Sequence, residues 1–489
     1  MFRGVSRKRF IQCIISMIII AAVFTTTVAV LDRVLLIKSE DGIEQMKSFY
    51  LQPEGTVDAL FVGSSHIFCH VNTGILWDEY GISGYDLAGA EQPFWNSYYY
   101  IKEALRYQTP KVIVLDITTP GIRPVDIQPE NWFITNNYGI RYGKNRFDSI
   151  KASTLKQSFP RLLVPLNSTH GRYVDLTEED FVENDCSVNY KGFDPRETIV
   201  AYETPDISGV TERGELSEKE EEYLRMIIDL VQGNGIPLLF ISSPYVVTAD
   251  EQAKYNTIFD IADEYGIPYL DYNKLYDEMG LDFETDIAEV LHLNRSGNGK
   301  FTRHLGKYLK DNYELTDHRG DDRYVSWDAD ALIQRQDNLK FDIEQAAKNG
   351  DSAEYLKLLS NDKYVVFCTI PAGYGGLSDA SLLPAIEGLG LKMDMFKELG
   401  AFVLRSGKCA ARSYDKDVKM TVADGARRLA FVRYTDENSD MMMNLVRVNG
   451  MRNGQSMKGY DNYSMPQDGL SFYVYDTVLD QAFGGYTIR

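Results

Sequence analysis

The alternation of apolar and polar positions divides the chain into three regions of different character. Phe10 to Leu31 is an uncharged run rich in Ile, Val, Ala and Thr, long enough to cross a bilayer as a helix. Val34 to Tyr50 reads as a helix within a stalk of residues 34–56. From Val57 to about Tyr313 the pattern alternates between strand and helix. Leu60-Phe61-Val62, Val112-Ile113-Val114-Leu115, Ile236 to Ser242 and Ile267 to Leu270 are apolar runs of the kind buried on both faces of a parallel sheet. Helices are predicted over Asn96 to Tyr107, Glu215 to Val231, Ala249 to Tyr265 and Gly299 to Leu309. The expectation is an α/β domain over residues 57–314, a three-layer parallel sheet covered by helices.

That alternation breaks between residues 117 and 213. Pro120, Pro124, Pro129, Pro160, Pro165 and Pro195 point to an insertion of loops and short helices, the kind of segment that shapes a substrate cleft. Trp132, Tyr138, Tyr142 and Tyr173 either line the cleft or form the insertion's own small core. Residues 315–328, dense in charge and turns, are expected as a linker. Residues 329–489 are expected as a C-terminal α+β or mainly β domain, with strands at Tyr364 to Thr369, Lys419 to Val422, Leu429 to Tyr434 and Leu470 to Tyr475 and a helix near Asp379 to Glu387.

Charge sharpens this outline. The 51 Lys and Arg against 71 Asp and Glu give a net charge of -20, which excludes a general nucleic-acid binder, since that needs a basic face against phosphates. Arg3, Arg7, Lys8 and Arg9 precede the apolar run. The positive-inside rule therefore leaves the N-terminus in the cytoplasm and the bulk of the chain outside. The run is longer than a signal-peptide core and no clear cleavage site follows it, so residues 1–33 are expected as an uncleaved, single-pass cell-membrane anchor. The five cysteines, Cys13, Cys69, Cys186, Cys368 and Cys409, show neither CxxC nor metal-ligand spacing. Cys368 and Cys409 remain candidates for a pair.

Candidate chemistry begins where the first strand ends. Gly63 permits an abrupt turn, and Ser64-Ser65-His66 emerges at the strand's carboxyl end, where ligands collect in open α/β sheets. By itself this is equally a turn in which a serine caps the next helix. Nucleophilic serine chemistry needs a base within hydrogen-bond reach and a third group to orient it. Of the six histidines, His66 and His70 share an i,i+4 spacing that can bind metal, but no third ligand is evident nearby, and neither metal nor cofactor is expected. His292 lies in a loop that opens the final helix of the α/β domain, where a base can hang over the same sheet edge. Glu289, three residues earlier, can accept the ring's other N–H. The plainer reading of this loop is a surface turn with Asn294 or Ser296 as a helix cap.

Taken together, strand-Gly-x-Ser near the domain's start and acid-x-x-His before its last helix resemble the SGNH or GDSL-type hydrolase superfamily. Phe61-Val62-Gly63-Ser64-Ser65-His66 resembles the nucleophile block of its membrane-anchored, cell-envelope branch. Tyr85-Asp86-Leu87-Ala88-Gly89-Ala90-Glu91-Gln92-Pro93 resembles the second block, and Glu289-Val290-Leu291-His292-Leu293-Asn294 the last. The resemblance implies an SGNH or flavodoxin-like sheet, with Ser65 as nucleophile, His292 as base and Glu289 as its orienting acid. Backbone N–H groups of Ser65 and of Gly89 or Ala88 would form the oxyanion hole. Serine stands for the family's aspartate after Gly63, and Glu289 for its usual aspartate. The asparagine-bearing third block has no counterpart after Leu115, where Asp116-Ile117-Thr118-Thr119 stands. A second donor must then come from elsewhere, Gln92 or Asn96 being candidates. His66 and Asn96 are expected at substrate-binding positions.

The implied function is a serine esterase or O-acyltransferase acting on acyl esters of cell-envelope or secreted glycans, with envelope acyltransferase or polysaccharide proteins as partners. The alternative is a catalytically silent scaffold or glycan-binding protein of the same fold. Asp468 to Asp476, with Gly484-Gly485-Tyr486 after it, resembles the lectin-like domain of interleukin-like EMT inducers, which implies a glycan- or protein-binding accessory module. A hairpin in any β-containing domain reads the same way.

Overall fold

The computed structural model describes residues 7–36, 41–123, 126–181, 190–372, 374, 376–397, 399–424, 427–435, 442–449, 451–452, 455–456, 460–464 and 469–489. The chain divides into two compact units, residues 1–331 and 332–489.

The first unit opens with helix α1 (Arg7–Leu35). Its 29 residues rise about 43 Å at the α-helical repeat, more than the roughly 30 Å of a bilayer's hydrocarbon core. By length and composition it suits a membrane span or a signal sequence. Of the stalk expected at residues 34–56, residues 37–40 lie outside the described residues. Helix α2 (Ile43–Phe49) buries Ile43, Met46 and Phe49 completely, because its apolar positions recur at i, i+3 and i+6 on one helical face.

Five parallel strands form the central sheet: β1 (Ala59–Gly63), β2 (Gly84–Ala88), β3 (Val112–Asp116), β4 (Leu238–Ser242) and β5 (Tyr269–Asp271), arranged β2-β1-β3-β4-β5. Helices α3 (Ser65–His70), α4 (Thr73–Tyr80) and Arg295–Asn312 pack on one face of the sheet. Helices α2, α5 (Phe94–Ala104), Glu218–Gly233 and Ala249–Tyr265 pack on the other. Alternate residues of one strand serve the two cores, Ala59 and Phe61 one, Leu60 and Val62 the other. This is why its sequence is continuously apolar. The winding reverses between β1 and β3, and the crevice beyond their carboxyl ends is the characteristic ligand position in such sheets.

Four of the five strands are legible as apolar runs; β2 is not, because Asp86 interrupts it. Tyr324 and Trp327, inside the segment expected as a linker, are instead buried in the first unit's core. Their rings pack with Trp77 on α4. The turn-rich stretch before them reads as a boundary, but the two aromatics after it supply enough apolar surface to hold it against the sheet.

In the second unit, Tyr364–Ile370, Gly400–Arg405, Lys408–Ser413, Leu470–Asp476 and Gln481–Ile488 form one antiparallel sheet. Val418–Asp424, Arg427–Thr435, Met442–Asn449 and Tyr460–Ser464 form a second antiparallel sheet. Val365, Phe367 and Val403 face Val418, Leu429 and Phe431 between them. Helical residues Ile343, Tyr355 and Ile386 cover the first sheet's other face. The C-terminal domain is thus built on β-structure, and Cys368 and Cys409 are both free thiols.

Candidate active site

The two serines after β1 divide the readings the sequence left open. Ser64 is the N-cap of α3; its Oγ accepts from the His66 backbone N–H and lies 3.2 Å from His66 Nδ1. Ser65 is the first residue of the helix, and its Oγ lies 2.7 Å from His292 Nε2. Gly63 makes this turn possible: a Cβ there would stand 2.7 Å from the Asp116 Cβ and 2.9 Å from Ile67 Cγ1.

A short hairpin presents the histidine. Strands β6 (Ile287–Glu289) and β7 (His292–Leu293) pair antiparallel, with Glu289 opposite His292. Glu289 Oε1 lies 2.7 Å from His292 Nδ1. With Nδ1–H donating to that carboxylate, Nε2 is left to accept the Ser65 hydroxyl proton. Burial lowers the His292 pKa, and the hydrogen bond and charge of Glu289 offset part of that. The ring is neutral at pH 7, the state a general base requires. Only 9% of His292 is exposed, while the Glu289 side chain is 56% exposed.

Several residues fix the hairpin. Asn294 caps the next helix, accepting from Ser296 and Gly297 N–H, and donates to the Thr285 carbonyl. Asp286 accepts from Ser296 Oγ and Lys300 Nζ, both at 2.6 Å. His70, buried beneath, accepts the Leu293 backbone N–H on Nε2 at 3.0 Å. The sequence offered His70 as half of a metal pair. Its i,i+4 spacing from His66 instead sets two buried imidazoles edge to face, with ring centroids 5.1 Å apart. No cluster of metal-ligating side chains stands among the described residues.

The second block closes the same edge. Ala88 pairs with Gly63, so the loop from Gly89 begins beside the serine turn. Asn136, from the insertion, donates to the Ala90 carbonyl at 2.8 Å, and its Oδ1 stands 2.2 Å from where a Gly89 Cβ would be. Only glycine fits between them. Gln128 donates to the Glu91 carbonyl, and Arg123 pairs with the Glu91 side chain. Glu91 itself adopts a positive φ of 47°, an uncommon conformation for a side-chain-bearing residue.

Not every expected residue joins the site. Gln92 is buried, and its amide donates to Ser97 Oγ. Asn96 is enclosed, and its Nδ2 lies within 3.3 Å of the Asn136 carbonyl, Asn137 Oδ1, Ser149 Oγ and Ser153 Oγ. Its amide braces the insertion rather than offering a donor to substrate. His66 is fully enclosed, its ring 5.5 Å from that of His292 and 5.1 Å from that of Tyr245. It is a wall behind the base, because the first turn of α3 carries it inward.

Sequence reasoning missed Arg196 and the role of Asp116. Arg196 forms a parallel bridge with Asn294 and pairs with Asp194 at 2.5 Å, placing a half-buried guanidinium beside the hairpin. Nothing in Asp194-Pro195-Arg196-Glu197 signals that position. Asp116 occupies the end of β3, where the resemblance expects the third block. Burial pushes its pKa up to about 6, against hydrogen bonds from Thr118 and Ser243. No family model matches the chain, and no curated protein matches it either.

Proposed function

We propose that the α/β unit is an SGNH-type serine esterase or O-acyltransferase, held at the cell membrane by α1 with its bulk outside the cytoplasm. One observation carries this reading: Ser65 at the start of α3 and, more than two hundred residues later, His292 and Glu289 of the β6–β7 hairpin form a continuous chain with both links at 2.7 Å. It stands beyond the carboxyl edge of the sheet, where the winding reverses.

In this mechanism Ser65 Oγ attacks the carbonyl carbon of an ester while its proton passes to His292 Nε2. The carbonyl π bond opens to an oxyanion, held by backbone N–H groups of Ser65 and of Gly89 or Ala88. When the tetrahedral intermediate collapses, the C–O bond to the leaving alcohol breaks and His292 returns the proton to that oxygen. The acyl group is now on Ser65. A water molecule or a sugar hydroxyl, deprotonated by His292, then attacks the acyl carbon; the C–O bond to Ser65 breaks and His292 returns the proton to the Ser65 oxygen. Glu289 holds the imidazole and stabilises its cation throughout. With the side-chain amides of Gln92 and Asn96 engaged elsewhere, the oxyanion donors are main-chain groups. The substrate class is an acyl ester of an envelope or secreted glycan.

A fluorophosphonate serine probe tests the reading. Wild-type protein is expected to label covalently, and Ser65→Ala to lose labelling while keeping its circular dichroism spectrum. Absence of labelling and of ester turnover in folded wild type would leave a silent scaffold, whose cellular role survives simultaneous replacement of Ser65 and His292.

A further inference from the structure

The chain is strongly acidic, yet cations gather where α1 ends. A cavity of about 430 Å³ opens between the last turn of α1, the α2 segment and the insertion. Arg33, Lys47, Arg141 and Arg146 all line it, against one acid, Asp32. That carboxylate is engaged on one oxygen by the Tyr142 hydroxyl at 2.6 Å.

Arg146 sets this cavity apart from an ordinary basic surface. It is only 5% exposed. Its Nη1 donates to the carbonyls of Tyr138 at 3.3 Å and Ile140 at 3.1 Å, and its guanidinium lies 4.2 Å from the centroid of the Tyr142 ring. Its Nε and Nη2, however, meet no acceptor among the described residues. Burial lowers its pKa, and the nearby Asp32 charge, already engaged by Tyr142, offsets only part of that. A guanidinium with two unused donors in a fixed plane is the geometry that grips a phosphate or carboxylate at two oxygens.

The surroundings place this cavity at the level of a lipid headgroup. Its wall includes Asp32 and Arg33, the first charged residues after the apolar stretch of α1. Arg172 Nη1 lies 3.4 Å from the carbonyls of both Val34 and Leu35, binding the helix end to the insertion. On the turns that pack against α1, Tyr173, Val174 and Phe181 are 69%, 67% and 66% exposed. Apolar and tyrosyl side chains beside a span, with basic groups above them, match the composition of a membrane–water interface.

We propose that this cavity binds the phosphate of an anionic membrane lipid, with Arg146 as the central donor and Arg141 and Lys47 completing the positive field. The proposal rests on α1 being a membrane span and is independent of esterase activity. A free phosphate shares the recognised chemistry and is separated from the lipid by the test.

Full-length protein in neutral detergent is titrated with phosphatidylglycerol, phosphatidylcholine or inorganic phosphate, followed by native mass spectrometry and thermal unfolding. Phosphatidylglycerol is expected to bind at least tenfold more tightly than phosphatidylcholine and to raise the unfolding temperature, with little effect of inorganic phosphate. Arg146→Gln is expected to lose at least tenfold in that affinity. Arg141→Gln, at an exposed position, weakens it severalfold and serves should the buried variant misfold. Equal binding of the two lipids, unchanged binding by the variants, or full protection by inorganic phosphate alone each overturns the proposal. Alkaline extraction of cell membranes tests the span separately: release of the protein refutes the anchor.

Discussion

At the scale of single residues, the proposed site joins a buried imidazole to a half-exposed carboxylate. His292 has its pKa lowered by burial and partly restored by Glu289. The acid limb of kcat/KM should therefore fall below the ordinary imidazole value of about 6.5. Removing the carboxylate removes the influence that raises the pKa. In Glu289→Gln the acid limb should move to lower pH, while kcat drops by roughly 10²-fold, the modest end of what a positioned base supplies. Solvent screening of the exposed carboxylate keeps the loss from being larger. A pH–rate profile on a chromogenic acetyl ester measures both effects, and an acid limb moving upward would contradict this electrostatic account. Glu289 and His292 are readable in the sequence because their spacing brings them across a hairpin, a local relation. The Asn136 contact with Gly89 is not readable, because it joins two loops through space and leaves no local pattern.

At the scale of elements, helix α3 couples the serine turn to the histidine hairpin. Ser65 begins it and His70 ends it, and His70 accepts the N–H of the residue after His292. His70→Phe keeps an aromatic ring but leaves that buried N–H unmet, a loss of about 1–3 kcal/mol. The expected result is a lower unfolding temperature together with a lower kcat/KM, as the hairpin loosens. Burial also holds the His66 and His70 pKa values well below 6.5. Both rings stay neutral in the folded protein and take up protons on unfolding. Their contribution to stability is full above about pH 6.5 and is lost as pH falls toward the folded-state values. His70→Phe should flatten this acid dependence, measured as unfolding temperature against pH; an unchanged slope would show that other groups dominate it. The strands of the parallel sheet are legible where the run is purely apolar. The exception, β2, carries Asp86 in the buried interior, with burial raising its pKa and neither carboxyl oxygen partnered among the described residues. A buried acid, pushed by its surroundings toward the neutral form, breaks the hydrophobic pattern without breaking the strand.

At the scale of the whole molecule, the proposed orientation rests on the basic residues ahead of α1. Protease added outside intact cells should digest the bulk of the chain and spare only the N-terminal tip and the span. Protection of the α/β unit would reverse the topology. The apolar run is the plainest feature of the sequence. The helix after it is harder to place, since α2 is amphipathic and nothing local tells its buried face from that of a stalk helix. That packing fixes a length. A Cβ on Gly42 would stand 3.2 Å from the Gly89 Cα, so the start of α2 lies against the loop beside Ser65. The seven Cα–Cα steps from Leu35 to Gly42 can span no more than about 25 Å. If α1 is an anchor and the proposed esterase reading holds, this tether acts as a ruler for the site. On those two proposals the site would reach only esters held close to the bilayer, so acyl groups on a long polymer would have to be processed while that stretch is still near the membrane.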